Sequence, residues 1–370
     1  MTVISFARGV PAADCIPAEE LADCAKAAIE RDPAALSYGA AGGYGPLREW
    51  IGDRHDVDPG RVVLTNGSLQ GFVFLAGRLA SGGRVLVEAP TYDRPLKILA
   101  GLGVDVAAVP QDEDGLDLDA LEQELDSGPP PAFLYTIPTF QNPSGRTLSA
   151  DRRRRLVDLA RERSLLVLED DPYGLVRFEG TPPATLFELD GGERVIYSSS
   201  FSKTVAPGVR VGYFVLPDEL AAAVEAAAVS TYISPVLMAE ATVWEFVRRG
   251  NFEPNLDRVR GLLRDRRDAM LAALDAKLPQ VMRSNPEGGY FVWVDFPPGA
   301  DAGQLLVEAE GAGVTFVKGA DFYPGADGGS SSARLAFSFV SPGEIAEGVS
   351  RLASLVPAAP AVKLGEQNAA

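Results

Sequence analysis

The chain holds one histidine, two cysteines and six lysines among 370 residues, and these scarcities remove whole classes of chemistry. A structural zinc site usually draws four ligands from cysteine and histidine. Three such residues in all, with Cys15 and Cys24 nine positions apart, do not build one, so no metal is expected. Nothing forces a disulfide either, and a reducing cytoplasm is the expected setting. Long apolar runs are also missing: no window approaches about eighteen consecutive apolar residues, so no membrane span is expected. The first fifteen residues lack a charged head followed by an apolar stretch, which argues against a secretory signal. Positive charge is scarce, with 34 Lys and Arg against 51 Asp and Glu and a net charge of −17. Nucleic acid, whose binding draws on clustered cations, is therefore not an expected partner. The one basic run, Arg152-Arg153-Arg154-Arg155, reads as a solvated helix face. The shortage falls hardest on lysine: Lys26, Lys97, Lys203, Lys277, Lys318 and Lys363 are all there are, against 28 arginines.

What remains is an ordinary globular composition, 46% hydrophobic and 23% charged. Between residues 61 and 216, β-branched runs at 61–64, 84–88, 104–109, 132–137, 165–168, 195–199 and 209–216 alternate with helical patterns such as 67–79, 118–125 and 150–163. Near-continuous apolar strands interleaved with helices predict an α/β fold, a mostly parallel sheet of about seven strands covered by helices on both faces. Ligands of such sheets lie at the strands' carboxyl ends. After Pro217 come helical patterns at 218–249 and 255–277, with Pro235 and Pro254 as interruptions. Strands at 289–296, 314–317 and 334–340 and helices at 302–312 and 342–355 then read as a smaller α+β domain. An amphipathic helix at 18–30 precedes them all. The expected divisions are an N-terminal segment, 1–35, packing with the small domain; a large domain, 36–250; a small domain, 251–356; and a disordered Ala/Pro-rich tail, 357–370.

Of the six lysines, Lys26, Lys97 and Lys277 fall in helical patterns and Lys363 in the tail, where solvated roles are expected. Lys318 follows a strand and stays open. Lys203 ends the run Tyr197-Ser198-Ser199-Ser200-Phe201-Ser202-Lys203, with Arg210 downstream. Hydroxyls and an arginine around one lysine make an anion site beside an amine whose pKa is lowered by burial and a neighbouring cation; the alternative is a polar loop. A second candidate is the apolar run at 165–168, which ends in Glu169-Asp170-Asp171. Carboxylates there suit either a hard cation or a protonated heterocyclic nitrogen held by a charge-assisted bond. In the third, Thr65-Asn66-Gly67-Ser68, a strand turns through glycine into a helix whose first amides form a phosphate cradle. No GxGxxG follows a strand, so a dinucleotide is not expected.

Together these residues resemble the fold-type I pyridoxal-phosphate aminotransferases of class I/II, within them the subgroup of α-aminoadipate and kynurenine aminotransferases. The resemblance runs from about Phe6 to Leu355. Its motifs come in the family's order: Ser37-Tyr38-Gly39 with Gly43-Tyr44-Gly45-Pro46-Leu47-Arg48-Glu49; Thr65-Asn66-Gly67-Ser68; Glu88-Ala89-Pro90-Thr91-Tyr92; Pro138-Thr139-Phe140-Gln141-Asn142-Pro143-Ser144-Gly145; Asp170-Asp171-Pro172-Tyr173-Gly174; Ser200-Phe201-Ser202-Lys203 with Pro207-Gly208-Val209-Arg210-Val211-Gly212; and Arg334-Leu335-Ala336-Phe337-Ser338.

The resemblance implies pyridoxal 5′-phosphate as cofactor, an amino acid and a 2-oxo acid as substrates, a ping-pong cycle and a homodimer. Lys203 would hold the cofactor as a Schiff base and shuttle the substrate proton. Asp170 would partner the pyridine nitrogen, Tyr173 and Asn142 the phenolate oxygen, and Tyr92 would stack on the ring. Gly67, Ser68, Ser200, Ser202 and Arg210 would hold the phosphate, with Leu69 replacing the family's usual Gln beside them. Arg334, assisted by Asn142, would grip the substrate carboxylate as a fork that lysine cannot match. Tyr38 would reach the partner's site, and Asp171 reads as a solvated neighbour of Asp170. Arg8, Asn255 and Lys318 also depart from the family's usual residues. Arg8 and Lys318 fall in segments that by resemblance line the substrate entrance, hence an expected acidic or polar substrate side chain. Two alternatives stand beside transamination: a lyase, cyclase or oxidase on the same scaffold, and a regulatory sensor domain. Because the resemblance begins within the first ten residues and the charge is acidic, the DNA-binding alternative is not favoured.

Overall fold

The alternating apolar runs assemble into one eight-stranded sheet in the computed structural model, which describes residues 2–356; the expected tail at 357–370 lies outside the described residues. From edge to edge the strands are Val62–Thr65, Gly212–Val215, Val195–Ser200, Val167–Asp170, Phe133–Thr136, Arg84–Ala89, Asp105–Asp112 and Gly115–Leu116. The middle of the sheet is parallel, and Gly212–Val215 runs antiparallel to both its neighbours. All seven expected strands are present. The eighth, Gly115–Leu116, is a two-residue hairpin arm on Asp105–Asp112, too short to leave a periodic signal. The central strands are buried along almost their whole length, as a sheet covered on both faces requires.

The register lines up one edge of the sheet. Thr65 and Ser200 both pair with Gly212, and Asp170 pairs with Ser198. The carboxyl ends of Val62–Thr65, Val167–Asp170 and Val195–Ser200 therefore share an edge with the amino end of Gly212–Val215. The helix Ser68–Leu79 starts directly over that strand, and a Cβ on Gly212 would collide with the Ser68 backbone nitrogen.

A four-stranded antiparallel sheet follows, ordered Met282–Arg283, Phe291–Asp295, Ser332–Ala336 and Val317–Lys318, with the helices Ala302–Gly311 and Pro342–Ala353 beside it. The strand Ile4–Ser5 pairs in parallel with Val314–Thr315. The N-terminal segment is nevertheless shared: its helix, Ala18–Arg31, leans on Leu237–Arg248, where Arg31 Nε meets Glu245 at 3.2 Å.

Two local expectations are corrected. Pro235 does separate Asp218–Tyr232 from Leu237–Arg248, but Pro254 lies inside the first turn of Phe252–Lys277. Amides of a first turn have no intrahelical acceptor, so a proline there breaks no bond. The basic run is not a uniformly solvated face, because Arg153 is fully buried in Ala150–Glu162. Its guanidinium donates to the Leu148 and Pro138 carbonyls at 2.9 and 2.6 Å and to Thr139 Oγ1 at 2.8 Å, and lies 3.7 Å from buried Glu169.

Candidate active site

The aligned strand ends open into a cavity of about 400 Å3. One end is built from small hydroxyls and a cation. Ser200 closes its strand and its Oγ lies 2.9 Å from Ser202 Oγ. The Arg210 guanidinium reaches over Pro207 and Asn66, donating to the Pro207 carbonyl at 3.2 Å and the Asn66 carbonyl at 3.4 Å. Gly67 leads into the helix start at φ +89°, and a Cβ there would overlap that guanidinium. Hydroxyls, an arginine and the first amides of a helix thus converge on one anion-sized space.

Opposite this end, Asp170 closes Val167–Asp170 as a half-buried carboxylate. Tyr135 donates to Oδ2 at 2.7 Å and Ser198 to Oδ1 at 3.3 Å. Burial pushes the carboxyl up to about 6, and the Tyr135 hydrogen bond is foremost among the effects that hold it down. Lys203 stands three residues beyond the end of Val195–Ser200, its Nζ donating to the Gly9 carbonyl at 2.7 Å and lying 5.0 Å from the Tyr290 ring centre. Burial, together with Arg334 and Arg210 nearby, pushes this amine down to about 8, against the pull of Asp170.

The smaller sheet closes the cavity. Arg334, in the strand Ser332–Ala336, is sandwiched between the rings of Phe291 and Phe322, 4.3 and 5.0 Å from their centres. Its Nη1 donates to Asn142 Oδ1 and its Nη2 to the Ala7 carbonyl, both at 2.9 Å, while its buried Nε has no partner. Burial lowers even this guanidinium to about 10. A buried guanidinium lining a cavity suits an anion there.

Twelve of the expected site residues line this one cavity: Lys203, Asp170, Tyr173, Gly67, Ser68, Leu69, Tyr92, Asn142, Ser200, Ser202, Arg210 and Arg334. The donor set fits pyridoxal phosphate: anion donors at one end, a half-buried carboxylate at the other, an aromatic wall from Tyr92 and an amine among them. Three expected residues do not line it in the single chain. Arg8 is exposed, with its guanidinium 5.0 Å from the Phe339 ring centre, Lys318 pairs with Asp321 at 3.5 Å, and Tyr38 is 76% exposed. Asp171 is not solvated: it is buried beneath the sheet, accepting from Tyr197 Oη at 3.0 Å and the Gly174 amide at 2.8 Å. Alternate residues of a strand end point to opposite faces, which sends two adjacent aspartates to different environments.

Tyr135, Ser198, Phe291 and the carbonyls of Ala7 and Gly9 were not anticipated. Tyr135 did leave a signal, a phenol inside an apolar strand where any buried hydroxyl must find an acceptor. The carbonyls left none, since every residue has one. Asn255, noted only as a departure, ties the loop after Lys203 by donating from Nδ2 to the Thr204 carbonyl at 2.7 Å. The one histidine, His55, is packed between Phe187 and Tyr197, pushed down to about 4 by burial, and is not among the residues of the cavity.

The family described as aminotransferase class I and II matches residues 2–352 of the chain. Aromatic-amino-acid aminotransferase 1 of Thermococcus litoralis is 35% identical over 96% of this chain and 88% of its own length. The 2-aminoadipate transaminase of Thermus thermophilus is 39% identical over 95% and 89%. The crystal structure of α-aminoadipate aminotransferase from Thermus thermophilus, complexed with N-(5′-phosphopyridoxyl)-L-leucine, superposes with a TM-score of 0.90 at 37% identity, covering 95% of this chain and 92% of that one.

Proposed function

The chain belongs to the class I and II aminotransferases, and from that premise we propose how its own residues divide the work. The reaction is pyridoxal-phosphate-dependent transfer of an amino group from an amino acid to a 2-oxo acid. When bound, the cofactor supplies an electron sink for the carbanion formed at the substrate's α-carbon. Ser200, Ser202, Arg210 and the amides after Gly67 would bind its phosphate, and Tyr92 would cover the ring. Asp170 stays ionised above about pH 6 and holds a proton on the ring nitrogen. Asn142 spends its Oδ1 on Arg334, which leaves its Nδ2 as the donor that it and the Tyr173 hydroxyl would offer the phenolate oxygen in the same cavity. Arg334 would take the substrate carboxylate in the cavity it shares with Lys203. That amine, at about 8, is poised to accept a proton at the α-carbon and to return it elsewhere.

One observation carries this reading: a half-buried amine of lowered basicity shares a cavity with a half-buried carboxylate and a buried arginine. Single turnovers with a panel of amino acids test it. Conversion of the aldehyde form of the cofactor to its amine, reversed by 2-oxo acids, is the expected result. Release of ammonia or peroxide without that conversion would assign the scaffold to a lyase or oxidase.

The same reading makes the active unit a homodimer. Tyr38, Ile233 and Val236 expose apolar surface beside the phosphate end, with Gly39 bonded to Ser234 and Val236 to Asn66. It also takes 36–250 and 251–356 as the two domains, with the cavity between them, and places the protein in the cytoplasm, which suits two free, buried cysteines. No helix among the described residues is long and apolar enough to cross a membrane.

A further inference from the structure

We infer that Tyr135 is a positioning residue for the reaction, aiming the Asp170 carboxylate and keeping it ionised. The inference rests on the assignment of Asp170 to the ring nitrogen. Tyr135 is 1% exposed, and its hydroxyl lies 2.7 Å from Asp170 Oδ2. An ionised carboxylate only accepts, so the phenol must donate. Ser198 donates to the other oxygen, at a longer 3.3 Å. Both oxygens of this cavity-lining carboxylate are thereby tethered from the sheet.

Tyr135 is itself held rigidly. Its ring packs edge-to-face on Phe72, centres 5.3 Å apart at 72°, and Phe72 belongs to the helix Ser68–Leu79 whose start forms the phosphate end. Tyr135, Phe72, Leu69, Tyr92, Ser198 and Asp170 line a small void of about 20 Å3 that adjoins the main cavity. Burial raises the Asp170 carboxyl most; Tyr135 and Ser198 hold it down by hydrogen bonds and Lys203 by charge, Asp171 raises it, and Glu88, Tyr92 and Tyr173 also lie within electrostatic reach of it. Removing the phenol therefore raises the carboxyl's pKa and frees its orientation.

Tyr135→Phe tests this while keeping the ring that packs on Phe72. In the holoenzyme, kcat should fall about 10-fold with KM unchanged within about 2-fold, and the acid limb of the pH–rate profile should move upward by about half a unit or more. Apoprotein titrated with pyridoxal phosphate, followed by fluorescence, should show a dissociation constant several-fold higher. In an Asp170→Asn background, Tyr135→Phe should add less than about 2-fold, because its effect runs through the carboxylate. An unchanged kcat, acid limb and cofactor affinity beside a lowered Tm would show a purely structural phenol and overturn the inference. So would a full-sized loss in the Asp170→Asn background. If Asp170→Asn alone kept the full rate, the assignment of Asp170 itself would fall, an outcome read from the single variant before Tyr135 is touched.

Discussion

Arg334 shows how much a single side chain is asked to do. It spends Nη1 on Asn142 and Nη2 on Ala7, and keeps Nε unpartnered between two aromatic rings. Arg334→Lys preserves the charge but loses the planar fork. With a charge-assisted hydrogen bond worth about 1.5–3 kcal/mol, kcat/KM for amino acids should fall by about 10- to 150-fold, measured by steady-state kinetics. The titrating pair sets a second expectation. Asp170, raised to about 6, is neutral below that pH and charged above it, so the apoprotein's affinity for pyridoxal phosphate should weaken as pH falls from 7 to 5. Lys203, lowered to about 8, becomes a free amine as pH rises through that value, and the rate of covalent cofactor capture should rise with it. Absorbance titrations across this range check both limbs, and Asp170→Asn should remove the lower one. Lys203 could be singled out because lysine is rare and its neighbours carry hydroxyls. The Gly9 carbonyl that accepts from it could not, because it lies 194 positions away in the chain.

Among the elements, the helix Ala150–Glu162 separates what charge pattern reveals from what packing hides. Arg152, Arg154 and Arg155 pair with Asp112, Asp151 and Glu122 at the surface, as a solvated run should. Arg153 turns inward instead, bonding the loop at Leu148, Pro138 and Thr139 and approaching Glu169, which burial raises to about 7. Arg153→Ala would take the cation away from buried Glu169, leaving it only the Leu186 and Phe187 amides, and should cost about 3–5 kcal/mol in denaturant unfolding. Arg154→Ala, with one exposed pair three residues away, should change stability by less than about 0.5 kcal/mol. Four consecutive arginines are chemically alike, and only their angle around the helix axis distinguishes them.

On the scale of the whole molecule, the cavity is made by segments remote in the chain. Ala7 and Gly9 cross from the N-terminus, Arg334 comes from the smaller sheet, and Asp170, Lys203 and Arg210 from one edge of the larger. The exposed apolar residues Tyr38, Ile233 and Val236 lie beside the phosphate end, where a second copy would complete the wall. Sedimentation should find a dimer. Val236→Asp, which places a charge on that face, should shift the protein towards monomer and lower activity together. A wild-type enzyme that is fully active as a monomer would refute this.

Periodicity sufficed for the parallel sheet, and a glycine turn before a helix, an acidic strand end and hydroxyls around a lysine marked part of its carboxyl edge as a candidate site. The rest of the twelve residues that meet there, Tyr92, Asn142, Tyr173 and Arg334 among them, came only through the resemblance to a known family. The separate fates of Asp170 and Asp171, the burial of Arg153, the Tyr135 hydroxyl beneath Asp170 and the placing of Arg8 and Lys318 outside the cavity had to wait for the folded chain. Each depends on which face a side chain takes and on what distant segment packs against it, and neither is encoded in the identity of its sequence neighbours.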